Sequence, residues 1–157
     1  MFNLIHNRNK IGLVNSRLYD QNTFYSGFIK DLNNCHENLI IESPFITSKR
    51  MMTLLPILAK LRRRGIDIIV NTRDPAEHDG DYQDQAFEAI CELQALDITV
   101  LYTAGHHRKL AIIDKRIVWE GSLNILSFND SCEIMRRIVS IVAAKQLLSF
   151  TKLNKYL

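Results

Sequence analysis

The chain has 157 residues, of which 46% are hydrophobic and 24% charged, with a formal net charge of +3. That length suits one compact domain with its own core and is short for two, so residues 1–157 are read as a single domain. No apolar run approaches the roughly 20 residues of a membrane span, the opening "MFNLIHNRNKIGLVNSRLYD" lacks the continuous apolar core of a secretory leader, and Cys35, Cys91 and Cys132 are too widely spaced for a disulfide framework or a metal knuckle.

These features predict a soluble, cytoplasmic protein without a membrane partner, its thiols reduced and structural. In chain order, Phe24, Phe28, Ile29 and Leu32 fall at helical spacing behind Asn22 as cap, predicting a helix over 22–34. "NLIIESPF" reads as a buried strand ended by Pro44. A second helix runs from Thr47 or Ser48 to a stop at Gly65, with Pro56 implying a kink or a late start. Its terminal Arg62, Arg63 and Arg64 read as solvated cations complementing the helix dipole rather than as a phosphate site. "IDIIVNT" is a second strand, "YQDQAFEAICELQAL" a third helix and "DITVLYT" a third strand.

Strands alternating with helices predict an α/β fold with a mixed, mostly parallel sheet and helices on both faces. Only Ala104, Gly105 and His106 then precede "HRKLAIID", too few residues for a helical crossover. That fourth strand is therefore expected antiparallel to the third. "DKR" makes a turn, "IVWEG" returns, "CEIMRRIV" adds a strand and residues 140–157 form a closing helix.

This topology gathers polar residues at one edge of the sheet, the C-terminal ends of the first three strands, where open α/β sheets place ligands. His107 starts the antiparallel strand there, and Gly121, Ser122 and Asn124 return to it, with Glu133 beginning the next strand. His107 and Lys109, two apart, share a face. Asp114 is about 20 Å further along at roughly 3.3 Å per residue, suiting it to the turn rather than to chemistry. His106 faces away from His107 and is a secondary candidate. Glu42 and Ser43 read as end-of-strand residues, His36 and His78 as surface groups, and Trp119 as core or interface.

An imidazole can attack phosphorus to give a covalent intermediate, a lysine can hold the phosphoryl oxygens, and serine and asparagine can bind them without changing charge. A carboxylate such as Glu133 can fix the imidazole tautomer. What is missing is a second histidine to protonate the leaving oxygen.

"HRKLAIID" followed by "GSLN" resembles the H-x-K-x4-D and G-S-x-N signature of the phospholipase D superfamily. His107, Lys109, Asp114, Gly121, Ser122 and Asn124 fall on the motif, and Glu133 fits the carboxylate that follows it. The resemblance implies a phospholipase D-like half-barrel or sandwich domain. It implies catalytic roles for His107, Lys109, Ser122, Asn124 and Glu133, structural roles for Asp114 and Gly121, and neither metal nor cofactor. Most members carry two motifs in one chain. A single motif and this length resemble the small bacterial endonucleases of the superfamily, implying a homodimer with one histidine per subunit in a shared site. Nucleic acid is then the expected partner, DNA before RNA. A phospholipase or phosphatidyl transferase, and an inactive nucleic-acid-binding module of a larger defence or restriction machine, are the rival readings.

Overall fold

The computed structural model describes residues 15–157. The leader reading of the N-terminus concerns mainly residues 1–14, outside the described part. The elements are β1 (Ser16–Asp20), α1 (Phe24–Asn33), β2 (Asn38–Glu42), α2 (Ser48–Arg63), β3 (Asp67–Thr72), α3 (Asp81–Ala95), β4 (Thr99–Tyr102), β5 (Leu110–Ile113), β6 (Ile117–Gly121), β7 (Ile134–Val139) and α4 (Ile141–Thr151), with short 3₁₀ turns at Pro75–Glu77 and Leu153–Tyr156.

One seven-stranded sheet has the order β1-β7-β6-β5-β2-β3-β4. Side chains alternate across it. Leu39, Ile41, Ile68, Val70, Ala111, Ile113 and Trp119 pack under α1, α2 and α3, while Ile40, Ile69, Ile112, Val118 and Ile138 pack under Ala144 and Leu148 of α4. Helices thus cover both faces, as the sequence predicts, and β2 is buried at all five positions. Trp119 lies in the core, its indole N–H donating to Asp31 (2.8 Å), which also pairs with Arg137 (2.6 Å).

The α/β class and mixed sheet hold, but the balance of strand directions is the reverse of the expected one. Only β2–β3 and β3–β4 pair parallel; the other four pairings are antiparallel. The fourth predicted strand does run opposite to β4, yet its neighbour is β2. A short connection fixes direction without fixing the partner. Residues 103–109 pass over the ends of β3 and β2 to the open edge of β2, turning at Gly105 (φ +62°).

Smaller departures have local causes. β1 escapes prediction because it is a half-exposed edge strand with polar residues at both ends. The first helix is capped at Thr23, not Asn22. α2 does not start late but runs from Ser48 through Pro56 to Arg63: Pro56 is exposed, so the Met52 carbonyl it leaves without a helical partner faces water. The closing helix breaks at Lys152, which is left-handed at φ +59°. Arg62 and Arg64 are tied to backbone carbonyls, Arg62 to that of Ile66 (2.7 Å) and Arg64 to that of Cys35, with Arg62 also bonding Asp97 (2.8 Å). Cys35 is buried, and burial pushes its thiol up to about 12. Cys91 and Cys132 are exposed, contrary to the structural role expected of them. His78 is buried against the Phe45 ring rather than on the surface (4.8 Å between centroids).

Candidate active site

Asp114 closes the far end of β5. Its carboxylate accepts the backbone N–H groups of His36 (3.1 Å), Glu37 (2.8 Å) and Asn38 (3.2 Å) and the Cys35 thiol (3.3 Å), clamping the α1–β2 connection onto the β5–β6 turn. Burial alone would raise its pKa, but these donors outweigh it and the net shift is downward. Stability from this clamp is therefore fully present above the ordinary aspartate range near 4 and is lost as pH falls through the lowered folded value. Asp114→Ala is expected to cost about 2–4 kcal/mol in urea unfolding at pH 7, with the gap to wild type shrinking at acid pH. A loss under about 0.5 kcal/mol would contradict the clamp.

Gly121 ends β6 where no side chain fits. A Cβ there would lie 2.1 Å from the carbonyl oxygen of Ile134 and 2.8 Å from the Met135 sulfur. This close approach lets Ser122 take its place beside β7, where the Ile134 N–H donates to its hydroxyl (3.0 Å). The Ser122 hydroxyl in turn donates to the Glu133 carboxylate, which also accepts from Ser131 (2.6 Å). The Glu133 N–H is held by Gln21 (2.9 Å).

His107 is exposed at the opening of β5. The Lys109 ammonium lies 3.1 Å from its Nδ1 and donates to its carbonyl at 2.7 Å. Their shared face is thus as expected. Burial, and then the nearby Arg73, lower the Lys109 pKa against an upward pull from Glu133, so the ammonium gives up its proton more readily than that of a solvated lysine. An Nδ1 that accepts from the ammonium leaves the imidazole proton on Nε2, the form that donates. Attack through Nε2 needs the proton on Nδ1 instead.

Glu133 does not supply that orientation in this arrangement. Its carboxylate is occupied by Ser122 and Ser131, and no hydrogen bond joins it to His107. His107, Lys109 and Gly121 line one open recess. Asn124 and Glu133 line a second, of about 150 Å³, together with Tyr25, Arg50 and Phe128. The predicted residues therefore occupy two adjoining recesses, with Ser122 and Glu133 linking them at the rim.

Two contributions were not foreseen. Arg50 stacks on the Tyr25 ring at 3.4 Å, and its Nε is buried without a hydrogen-bond partner, as is Oδ1 of Asn124 in the same recess. Burial lowers the pKa of Arg50 and raises that of Tyr25. Glu42, read as an end-of-strand residue, is wholly buried and receives both arms of Arg108 (2.8 and 2.7 Å) and the Asn71 amide (2.8 Å), which is joined in turn to Thr103 (3.0 Å). This chain of bonds ties β2, β3 and the segment before β5 together directly beside His107. His106 points inward, nearly fully buried, with burial lowering its pKa, so it is removed from the open site.

A mixed seven-stranded sheet with a His-x-Lys pair and a Gly-Ser-x-Asn turn at its C-terminal rim defines a phospholipase D-like domain. Residues 28–152 match the family model described as "Cardiolipin synthase, PLD-like domain", and the chain belongs to this family. It is similar in fold to the phospholipase D family member Nuc from Salmonella typhimurium, at 14% identity and TM-score 0.70, covering 86% of this chain and 90% of that one. NucT from Helicobacter pylori is similar at 16% identity and TM-score 0.64, covering 87% and 92%. Phosphatidylserine synthase of Haemophilus influenzae matches at 13% identity and TM-score 0.64, over 90% of this chain but 38% of that one. No curated protein matches the chain in sequence.

Proposed function

We propose that this domain is a metal-independent phosphodiesterase that cuts nucleic acid as an endonuclease, with its site shared between two copies of the chain. The observation that carries the reading is the exposed His107 beside Lys109 at an open rim, with the His-x-Lys motif occurring once in the sequence.

His107 Nε2 attacks phosphorus, forming a P–N bond while the P–O bond to the leaving strand breaks. The leaving oxygen takes a proton from the corresponding histidine of the second copy. Water then attacks the phosphohistidine, giving a proton back to that second imidazole. The P–N bond breaks, the phosphate remains as a terminal monoester and His107 is restored. Lys109 and Asn124 hold the non-bridging oxygens as charge builds. Ser122 keeps Glu133 at the rim, from where its carboxylate reaches Nδ1 once Lys109 turns to the phosphate. A cationic Lys109 in this position neutralises charge without a metal.

The face beside His107 suits a second copy. Leu18 and Ile134 lie in the same recess and are 51% and 54% exposed, apolar groups on a sheet face that α4 leaves uncovered. Nucleic acid is favoured over lipid because the chain spans nearly the whole of Nuc and NucT but little over a third of the phosphatidylserine synthase. A further match of fold, TrmBL2 (12% identity, TM-score 0.60, covering 96% of this chain and 55% of that one), is described as an archaeal chromatin protein with a novel mode of DNA binding. Among the described residues, no helix is long and apolar enough to cross a membrane.

The test is turnover of labelled single- and double-stranded DNA, RNA and phosphatidylcholine in EDTA. Cleavage of a nucleic acid by wild type and not by His107→Ala is expected. Turnover of the lipid alone would establish the phospholipase reading. Equal nucleic-acid binding by both proteins without cleavage would leave a binding module.

A further inference from the structure

The break at Lys152 builds a second feature at the catalytic rim. Leu153, 3% exposed, anchors the final 3₁₀ turn on the α4 face of the sheet. The turn raises Lys152, Lys155 and Tyr156 opposite Tyr102, across a recess of about 350 Å³ floored by Asn71 and Leu101. Arg108 forms its inner wall and also lines the recess that contains His107 and Lys109, so the two are continuous.

The chemistry of this recess is one-sided. Phe150, Tyr102 and Tyr156 are 78%, 50% and 45% exposed, far more than packing into a core requires of an aromatic ring. Lys155 stands 4.9 Å from the Tyr156 ring centroid, and among the described residues no aspartate or glutamate lines the recess. The neighbouring groove on the other side of Tyr102 makes the contrast, since it is lined by Asp74, Asp84 and Glu88 and would repel a polyanion.

We infer that the recess formed by Tyr102, Phe150, Tyr156, Lys152 and Lys155 receives single-stranded nucleic acid flanking the scissile phosphate. The ammonium groups take backbone phosphates and the rings stack on bases, the combination that binds single strands without sequence preference. Bases of a duplex are stacked on each other and offer no free face to these rings. The inference rests on the nucleic-acid reading above and narrows it to single-stranded segments.

The experiment measures fluorescence anisotropy of a labelled twelve-nucleotide oligothymidylate and of a twelve-base-pair duplex, using the 157-residue His107→Ala chain so that neither probe is cut. The single strand is expected to bind about tenfold more tightly than the duplex. Phe150→Ala with Tyr156→Ala should remove that preference and weaken single-strand binding about tenfold or more. Phe150→Trp should retain binding, which separates lost stacking from lost structure. In the otherwise wild-type enzyme, the double alanine variant should hydrolyse bis(p-nitrophenyl) phosphate at the wild-type rate, because this small diester needs only the catalytic rim. Wild-type affinity for the single strand in the double variant overturns the inference while leaving the nuclease reading intact. So does a dimer that becomes a monomer by sedimentation, which would assign the face to a second copy. A wild-type protein that neither binds nor cuts nucleic acid, yet hydrolyses the small diester, overturns both the inference and the nucleic-acid reading.

Discussion

His107→Ala is expected to lower nucleic-acid cleavage in EDTA by about 10⁴-fold or more while leaving the unfolding midpoint almost unchanged. The two expectations belong together. His107 is exposed and its ring supports no core contact, so its loss removes the nucleophile without removing packing. The shared site gives a sharper test. In a 1:1 mixture of wild-type and His107→Ala chains allowed to exchange subunits, only about a quarter of the dimers contain two histidines, so activity should fall to roughly a quarter of the all-wild-type value. A value of one half would mean that each chain works alone. A second acid would then have to come from within the chain, and buried His106 is poorly placed to supply it.

The succession of buried strands and amphipathic helices was legible because each signal is local. "LII" within "NLIIE", and "LAII", are unbroken apolar runs, and both strands are buried on both faces. Pairing is not local. The brevity of residues 104–106 gave the direction of β5 correctly, but β2 and β4 are parallel, so direction alone could not choose between them as neighbours. The mostly antiparallel character of the sheet follows from that choice and from β1, whose exposed edge position left no alternation of apolar and polar residues to read.

The rim was legible for the same topological reason. Whatever β5 pairs with, an antiparallel strand entered from the ends of β2, β3 and β4 must start where they finish, so His107, Lys109 and Ser122 were bound to meet the same edge. The Asp114 clamp was legible in outline, because seven residues of extended chain separate it from His107. What could not be read was the state of each polar group. Glu133 bonds Ser122 and Ser131 because a hydroxyl on the adjoining strand and another two residues before it reach the carboxylate first. Glu42 looked like an ordinary strand end because its partner, Arg108, lies 66 positions away and sits inside the motif as its variable residue.

That pair carries the largest expected effect on stability. Arg108→Ala is expected to cost about 3–5 kcal/mol, because it leaves the Glu42 carboxylate buried with only the Asn71 amide to compensate it. For a domain of this size that corresponds to a fall in Tm of roughly 6–20 °C by calorimetry. Removing both charges should cost much less than removing one: Glu42→Gln combined with Arg108→Met keeps the volume and abolishes the stranded carboxylate, and is expected to recover more than half of the loss. If Arg108→Ala costs less than about 1 kcal/mol, the carboxylate has access to water and the pair is not what holds the rim. Arg108 also lies between His107 and Lys109, so the bidentate pair fixes the backbone from which the nucleophile projects. Arg108→Lys, which keeps the charge but not the fork, should therefore lower kcat more than it raises KM, since binding of the diester survives while the aim of the imidazole does not.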